Sequence, residues 1–352
     1  MKNVKRIFII IVFITCIVPA VFMFILGESE SGANETRVLK PHLLTEEGGI
    51  NLNIFSEYTD YIGKRFALRQ EFITLNSLIT TKCFGVSPVN DVIFGQGGWL
   101  YYNSTVNDFL NKDVLSEAKI EGIADKLEKF QLECSEKEIN FLFVAAPNKN
   151  TIYPEYMPYL GESYSDKGNM ELLFEKLSEK EVSHINLKEA FQNKNEILYH
   201  KTDSHWNNLG AAKAADEILK ALNHKEEKFF SGSYEILRNF EGDLYRMLYP
   251  KGEEKDENVV FSRKNTYSYN EPIKGADSMT IKTSCEGKSG SLLVFRDSFG
   301  NALYPFLAES FNEAVFLRRT PYSPNVSEEY DVDTIIIVMA ERNLSQFDKF
   351  FE

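Results

Sequence analysis

Asp203 and His205 stand two residues apart in the stretch Lys201-Thr202-Asp203-Ser204-His205-Trp206-Asn207, and Ser298 follows an apolar run in Phe295-Arg296-Asp297-Ser298-Phe299-Gly300. In an extended segment, residues two apart leave the backbone on the same side, so the Asp203 carboxylate can hold one imidazole N–H of His205 and fix the tautomer. The second ring nitrogen is then free to take a proton from a hydroxyl. Ser298 is the expected source, because Ser291 to Phe295 reads as a buried strand ending in a sharp turn, where open α/β sheets present their reactive groups. The chemistry would be attack of a serine oxygen on an ester carbonyl, with an acyl-enzyme dividing one hard step into two easier ones. Each piece also has a plainer reading. Asp297-Ser298 is a good helix cap and His205 could be a core histidine. His200, Asp203 and His205 could ligate a metal, but they lack helical spacing and a fourth ligand, so no metal is expected.

An acyl transfer site also needs donors for the developing oxyanion. The Ser298 N–H, at the start of a helix, is the expected first donor. Asn148 and Asn301 are side-chain candidates for the second, and both are also common turn residues. Lys149 follows the strand Phe141 to Ala146, at the strand end where open sheets bind ligands, and reads either as a substrate contact or as a solvated lysine. Glu341 and Arg342 end the last apolar strand. An internal ion pair is expected there ahead of a substrate contact through Arg342.

An Asp-x-His-Trp box upstream of an Asp-Ser-Phe box resembles the alginate O-acetyltransferase group of SGNH-hydrolase-like proteins, and also the related bacterial envelope proteins named for an Asp-His-His-Trp motif. Further matching pieces run in order over residues 60 to 345: Gly98-Trp99-Leu100-Tyr101, Pro147-Asn148-Lys149, Tyr153-Pro154-Glu155, Gly242-Asp243-Leu244, Asn301 with Pro305-Phe306-Leu307, and Glu341-Arg342. Ser204 stands where the naming motif has its first His. The resemblance implies an α/β fold with an SGNH-hydrolase-like parallel sheet flanked by helices. It also implies O-acetyl transfer onto a cell-surface or secreted polysaccharide, without a cofactor, by Ser298, His205 and Asp203. Alternatives that keep the fold are a polysaccharide acetyl esterase with the same three residues and a non-catalytic envelope scaffold.

The elements that must position these residues are legible from periodicity. Ile120, Ile123, Ala124, Leu127, Phe130 and Cys134 fall on one helical face, and the solid apolar strand Phe141 to Ala146 follows. The alternation repeats with a helix from Met170 to Glu179, a short strand from His184 to Leu187, and a helix from Gly210 to Leu222 that Asn207 or Asn208 can cap. A helix through Phe311, holding Pro305, and strands at Ala314 to Leu317 and Thr334 to Met339 complete the pattern. The polar stretch 251–289 reads as an insertion outside the core, and it and the loop after Pro147 are expected to wall a groove beside Ser298. Trp99 is expected to be structural.

At 352 residues, with 43% hydrophobic and 13% aromatic residues, the chain can bury a substantial core. Its net charge of −13, with no basic patch outside the N-terminus, argues against a nucleic-acid surface, so no nucleic acid partner is expected. The four cysteines have no metal or disulfide-framework spacing and are expected to be reduced packing residues. Lys2, Lys5 and Arg6 precede an uninterrupted apolar run from Ile7 to Leu26, long enough as a helix to span roughly 30 Å of hydrocarbon. Residues 1–27 are therefore expected to be an uncleaved single-pass membrane anchor with a cytoplasmic N-terminus, 28–52 a stalk, and 53–352 an extracytoplasmic domain in a bacterial envelope. Phe55, Tyr58, Ile62, Phe66, Phe72 and Leu75 suggest helices packed on that domain. An exterior enzyme has no access to cytosolic acetyl-CoA. A multi-spanning membrane O-acyltransferase is the expected acetyl donor.

Overall fold

The computed structural model describes residues 2–32, 36–45, 47–192, 195–224 and 228–351, and the side chains of residues 2–4 and 14–20 lie outside that description. The chain divides into two compact units, Met1–Ile93 with Asp243–Glu254, and Phe94–Gly242 with Lys255–Glu352.

The smaller unit contains helices α1 (Lys2–Leu26), α2 (Ile54–Arg65), α3 (Arg69–Phe84) and α8 (Asp243–Leu248). Among the described residues no helix is long and apolar enough to cross a membrane, so the transmembrane helix expected over residues 1–27 is not supported. The middle of its apolar run, with Cys16, falls among the undescribed side chains. The helices expected between residues 53 and 80 are present, but the packing expected of them is only partial. Tyr61 is buried, whereas Phe55, Phe72 and Leu75 are exposed.

The larger unit holds β1 (Asn140–Ala146), β2 (His184–Asn186), the hairpin β3 (Tyr234–Phe240) and β4 (Asp256–Phe261), β5 (Ser268–Tyr269), β6 (Thr280–Ser284), β7 (Ser291–Arg296), β8 (Glu313–Leu317) and β9 (Thr334–Ala340). Helices α4 (Glu117–Glu136), α5 (Asn169–Glu179), α6 (Leu187–Phe191), α7 (Asn208–Ala221) and α9 (Gly300–Ala308) belong to it. One seven-stranded sheet has the order β2-β1-β9-β7-β8-β6-β5. The first five strands run parallel, and β6 and β5 run antiparallel at one edge. The expected all-parallel sheet is thus corrected to a mixed one. Part of the 251–289 stretch supplies that edge, with Ile281 fully buried.

The central strands are continuous apolar runs because both faces are covered. Every residue of β9 is buried, and Leu293 and Phe295 of β7 join Phe141, Phe143 and the α4 face in one core. Burying each such side chain contributes roughly 1.5–3 kcal/mol, which fixes the sheet and so the strand ends. The residues expected on the α4 face are those it buries, with Ser116 capping the helix by accepting from the Lys119 N–H. Pro305 lies inside α9, two turns after the strand-to-helix turn that carries Ser298.

Candidate active site

β7 is the middle strand of the seven, and its carboxyl end delivers Asp297 and Ser298 to the edge where β1 ends in Pro147-Asn148-Lys149 and β9 ends in Glu341-Arg342. The turn is braced from both sides. Asp297 Oδ1 accepts from the Phe299 N–H at 2.9 Å, while Oδ2 accepts from the Ala340 N–H at 2.7 Å and from Asn343 Nδ2 at 2.8 Å. Asp297 therefore ties the turn to the neighbouring strand rather than capping the helix, whose N-cap residue is Phe299 and which has no side-chain cap. Gly300 is required by close approach, since a Cβ there would lie 2.5 Å from Arg296 Cδ. Arg296, buried beneath the turn, donates to Asn301 Oδ1 at 2.5 Å and to the carbonyls of Ala276 and Ser278 at 2.9 and 3.0 Å. Burial pushes its guanidinium down to about 10.

His205 sits in a loop closed by an antiparallel bridge between Tyr199 and Trp206, just before α7. Asn207 caps that helix by accepting from the Leu209 and Gly210 N–H groups. Asp203 Oδ1 accepts from His205 Nδ1 at 2.7 Å and from the His205 backbone N–H at 2.9 Å. With the proton on Nδ1, Nε2 is an acceptor, and Ser298 Oγ lies 2.8 Å from it. The Asp203 side chain is 7% exposed and that of His205 25%, so the pair is shielded while the ring edge meets solvent. Trp206 joins the two halves directly, its indole N–H donating to the Phe299 carbonyl at 3.0 Å.

Lys149 holds the loop from below. Its ammonium donates to the carbonyls of His200, Lys201 and Asp203 at 3.0, 2.9 and 2.6 Å, and lies 5.4 and 5.1 Å from the ring centres of Trp99 and Tyr101. It is buried, so neither the solvated lysine nor the substrate contact describes it. The buried Trp99 is structural as expected, stacked on Tyr156. From the other side, Asp256 Oδ2 accepts from the Thr202 N–H and hydroxyl, each at 2.8 Å, and His200 stacks on Phe240 at 3.6 Å. Gly242 fits against the same turn, where a Cβ would come within 2.2 Å of the Thr202 carbonyl oxygen. The clamps from Lys149 and Asp256 were not read from the sequence. The only signals for them were that Lys149 belongs to a matching motif and that Thr202 adjoins Asp203.

A polar cleft of about 530 Å³ opens beside Ser298, lined by Tyr102, Ser104, Asn107, Asp108, Arg318, Arg342 and Asn343 among others. The walls expected from 251–289 and from the loop after Pro147 are not among them. Arg342 reaches this cleft, with its guanidinium 5.8 and 5.2 Å from the Tyr102 and Phe299 rings, and makes no ion pair with Glu341 among the described residues. Glu341 instead turns inward and accepts from the Asn148 N–H at 2.6 Å and the Thr151 hydroxyl at 2.7 Å. Its burial raises its carboxyl to about 7 against those two donors, and burial raises Asp108 to about 6. Asn148 is buried with its amide 3.4 Å from Asp108, and its side-chain carbonyl has no hydrogen-bond partner among the described residues. Asn301 lies on a different pocket with its carbonyl held by Arg296. The Ser298 N–H has no hydrogen-bond acceptor among the described residues and is available to an oxyanion.

The family model for the SGNH hydrolase-like domain of the acetyltransferase AlgX matches residues 92–278. The chain belongs to this family. The matched segment of this SGNH hydrolase-like domain carries Asp203 and His205 and ends before Ser298, whose place rests on the geometry above. No curated protein matches the sequence. Among solved structures, a DHHW family protein from Eubacterium siraeum is 19% identical with a TM-score of 0.52, over 75% of this chain and 99% of that one. Bacillus cereus PatB1 with a sulfonyl adduct is 18% identical with a TM-score of 0.57, over 75% of this chain and all of that one. At such identities these two likenesses concern the fold. The resemblance read from the motifs holds for the SGNH hydrolase-like acetyltransferase family, and the fold is shared with a DHHW family protein.

Proposed function

We propose that this protein transfers an acetyl group from a donor ester to a hydroxyl of a cell-surface or secreted polysaccharide, through an acetyl ester on Ser298. The contact of 2.8 Å between His205 Nε2 and Ser298 Oγ, behind which Asp203 holds Nδ1, supports this most directly. Ser298 Oγ bonds to the acetyl carbonyl carbon as its proton passes to His205 Nε2, and Asp203 stabilises the imidazolium. The Ser298 N–H faces the developing oxyanion. The leaving oxygen takes the proton from His205 as its bond to the acetyl carbon breaks. A sugar hydroxyl then enters, gives its proton to Nε2, and takes the acetyl group. The bond between Ser298 Oγ and the acetyl carbon breaks, and Oγ takes from His205 Nε2 the proton that the sugar hydroxyl delivered.

Transfer competes with hydrolysis, because water at about 55 M can attack the same intermediate unless an acceptor hydroxyl is bound and oriented, an advantage that reaches about 10⁵ M in well-aligned systems. The polar cleft beside Ser298 suits such an acceptor. Arg342, whose guanidinium lies over two rings in this cleft, is the side chain best placed to orient it. The N-terminal apolar run with its basic flank, whose middle side chains lie outside the described residues, is the sequence feature behind a bacterial membrane anchor with the catalytic unit outside the cell, and hence a multi-spanning membrane O-acyltransferase as the source of acetyl groups. The test supplies an acetyl donor and short glycan oligomers to the purified protein and follows acetylated oligomer and free acetate by mass spectrometry. Acetylated oligomer that grows with chain length is expected. Acetate alone, unchanged by every glycan, would make the protein an esterase.

A further inference from the structure

Helix α3 is built inside out. Its polar residues Gln70, Ser77 and Thr81 are buried, while Phe72, Leu75 and Ile79 are 51, 52 and 51% exposed. At 3.6 residues per turn the two sets fall on opposite sides of the helix. A helix facing water shows the reverse pattern. The inner side is committed within its own unit, since Gln70 Nε2 donates to the Glu30 carbonyl at 3.0 Å and the Thr81 hydroxyl meets the Tyr249 hydroxyl at 2.7 Å. Rotation of the helix to hide its apolar side would break both contacts. The apolar stripe therefore needs an apolar neighbour from outside its own unit.

The same unit contains α1, whose residues from Ile7 to Phe13 are all exposed. Seven consecutive apolar residues cover the whole circumference of a helix, and a protein groove would cover one side of it only. A surface apolar all round calls for lipid. The chain leaving α1 is fastened to the end of α2 and the start of α3. The Ser29 N–H donates to the Arg65 carbonyl at 2.9 Å, Arg65 pairs with Glu28 at 3.0 Å, and Gln70 holds Glu30. Exposed Lys82, about one turn beyond Ile79 on the same helix, suits the phosphate level of a bilayer in a chain that is otherwise strongly acidic.

We propose that Phe72, Leu75 and Ile79 form a membrane-contact surface, the outer face of α3 lying in the headgroup region of a lipid bilayer beside the point where α1 leaves it. This rests on the anchored reading of α1 given under the proposed function. The test uses the full chain, with Cys16→Ser and Cys83→Ser, reconstituted in vesicles of phosphatidylcholine and phosphatidylglycerol. Spin labels are placed singly through Phe72→Cys, Leu75→Cys and Ile79→Cys, with Ile10→Cys reporting on α1 and Lys129→Cys as a water-exposed reference. Labels at 72, 75 and 79 are expected to be open to dissolved oxygen and closed to a water-soluble nickel complex, the opposite of the label at 129. If they behave like the label at 129 while the label at 10 reads as lipid, the anchor stands and the contact surface is wrong. If the label at 10 also behaves like water, both readings fall. Dipolar broadening among the three α3 labels, without oxygen access, would assign the stripe to a second copy of the chain and overturn the lipid contact.

Discussion

Lys149 shows how burial changes what a charged residue does. An ammonium with three carbonyl partners and two aromatic rings around it is a fastener for the loop that carries Asp203 and His205. Replacement by methionine keeps the aliphatic stem and leaves the three carbonyls without that donor. Lys149→Met is expected to lower unfolding stability by about 3 kcal/mol and to reduce turnover, measured by urea unfolding and by ester cleavage. Wild-type stability would mean that the loop holds itself. Ser298→Ala should abolish cleavage of 4-nitrophenyl acetate while leaving the fold intact, and His205→Ala should be nearly as inactive, because residues acting as a unit are not additive. Asp203→Asn should retain a trace. Retention of wild-type turnover by Ser298→Ala would remove it as nucleophile. Asp203, His205 and Ser298 were legible because their chemistry requires fixed residue types at strand ends and short spacings. Lys149 was legible in place but not in role, since a lysine next to a strand end looks the same in sequence whether it points up or down.

Among the elements, the hairpin of β3 and β4 touches the reactive loop through Asp256, two hydrogen bonds to Thr202 one residue before Asp203. Asp256→Ala should lower kcat about tenfold, equivalent to about 1.4 kcal/mol, in a protein that remains folded, and Asp256→Asn should recover most of it because its amide oxygen can still accept. Equal turnover of all three proteins would show that the hairpin does not position the loop. The end of β9 makes a separate prediction through Glu341. The ordinary carboxylate value is 4.5 and the folded value is about 7, so between these the folded chain holds a proton that the unfolded chain has released. Stability from this group is therefore greatest at low pH and falls as pH rises from about 4.5 to 7. Glu341→Gln keeps an acceptor for Asn148 and Thr151 and removes the titration. The melting temperature of the wild type should fall against that of the variant as pH is raised through this window, and a constant difference would contradict a buried acid here. The helices and parallel strands were readable because period and solid apolar runs report burial. The edge strands β5 and β6 were not, because a strand at a sheet edge keeps one polar side, and its short alternation resembles a surface loop.

At the scale of the whole molecule, a family-level match covers residues 92–278, the segment that carries Asp203 and His205, and the fold is shared with PatB1 and a DHHW protein, while the turn after β7 lies beyond that match. The smaller unit was the least legible part. Period predicted its helices, but the identity of their buried side depended on contacts among Glu28, Glu30, Arg65 and Gln70, which no local pattern reveals. If α1 anchors the chain with its basic end inside, protease added to intact cells stripped of their wall should digest the chain beyond residue 30. Protection there would sink the exterior placement. The claim on which the rest depends is that Ser298 carries the acetyl group between donor and acceptor. The direct measurement is intact-mass and peptide mass spectrometry of the protein quenched in acid moments after mixing with an acetate ester, in the wild type and in Ser298→Ala. One acetyl group is predicted on the peptide holding Ser298 in the wild type, lost when a glycan acceptor is added before the quench, and absent from the variant. Turnover of the ester with no acetylated Ser298 at any quench time, or equal acetylation of that peptide in the variant, would contradict it.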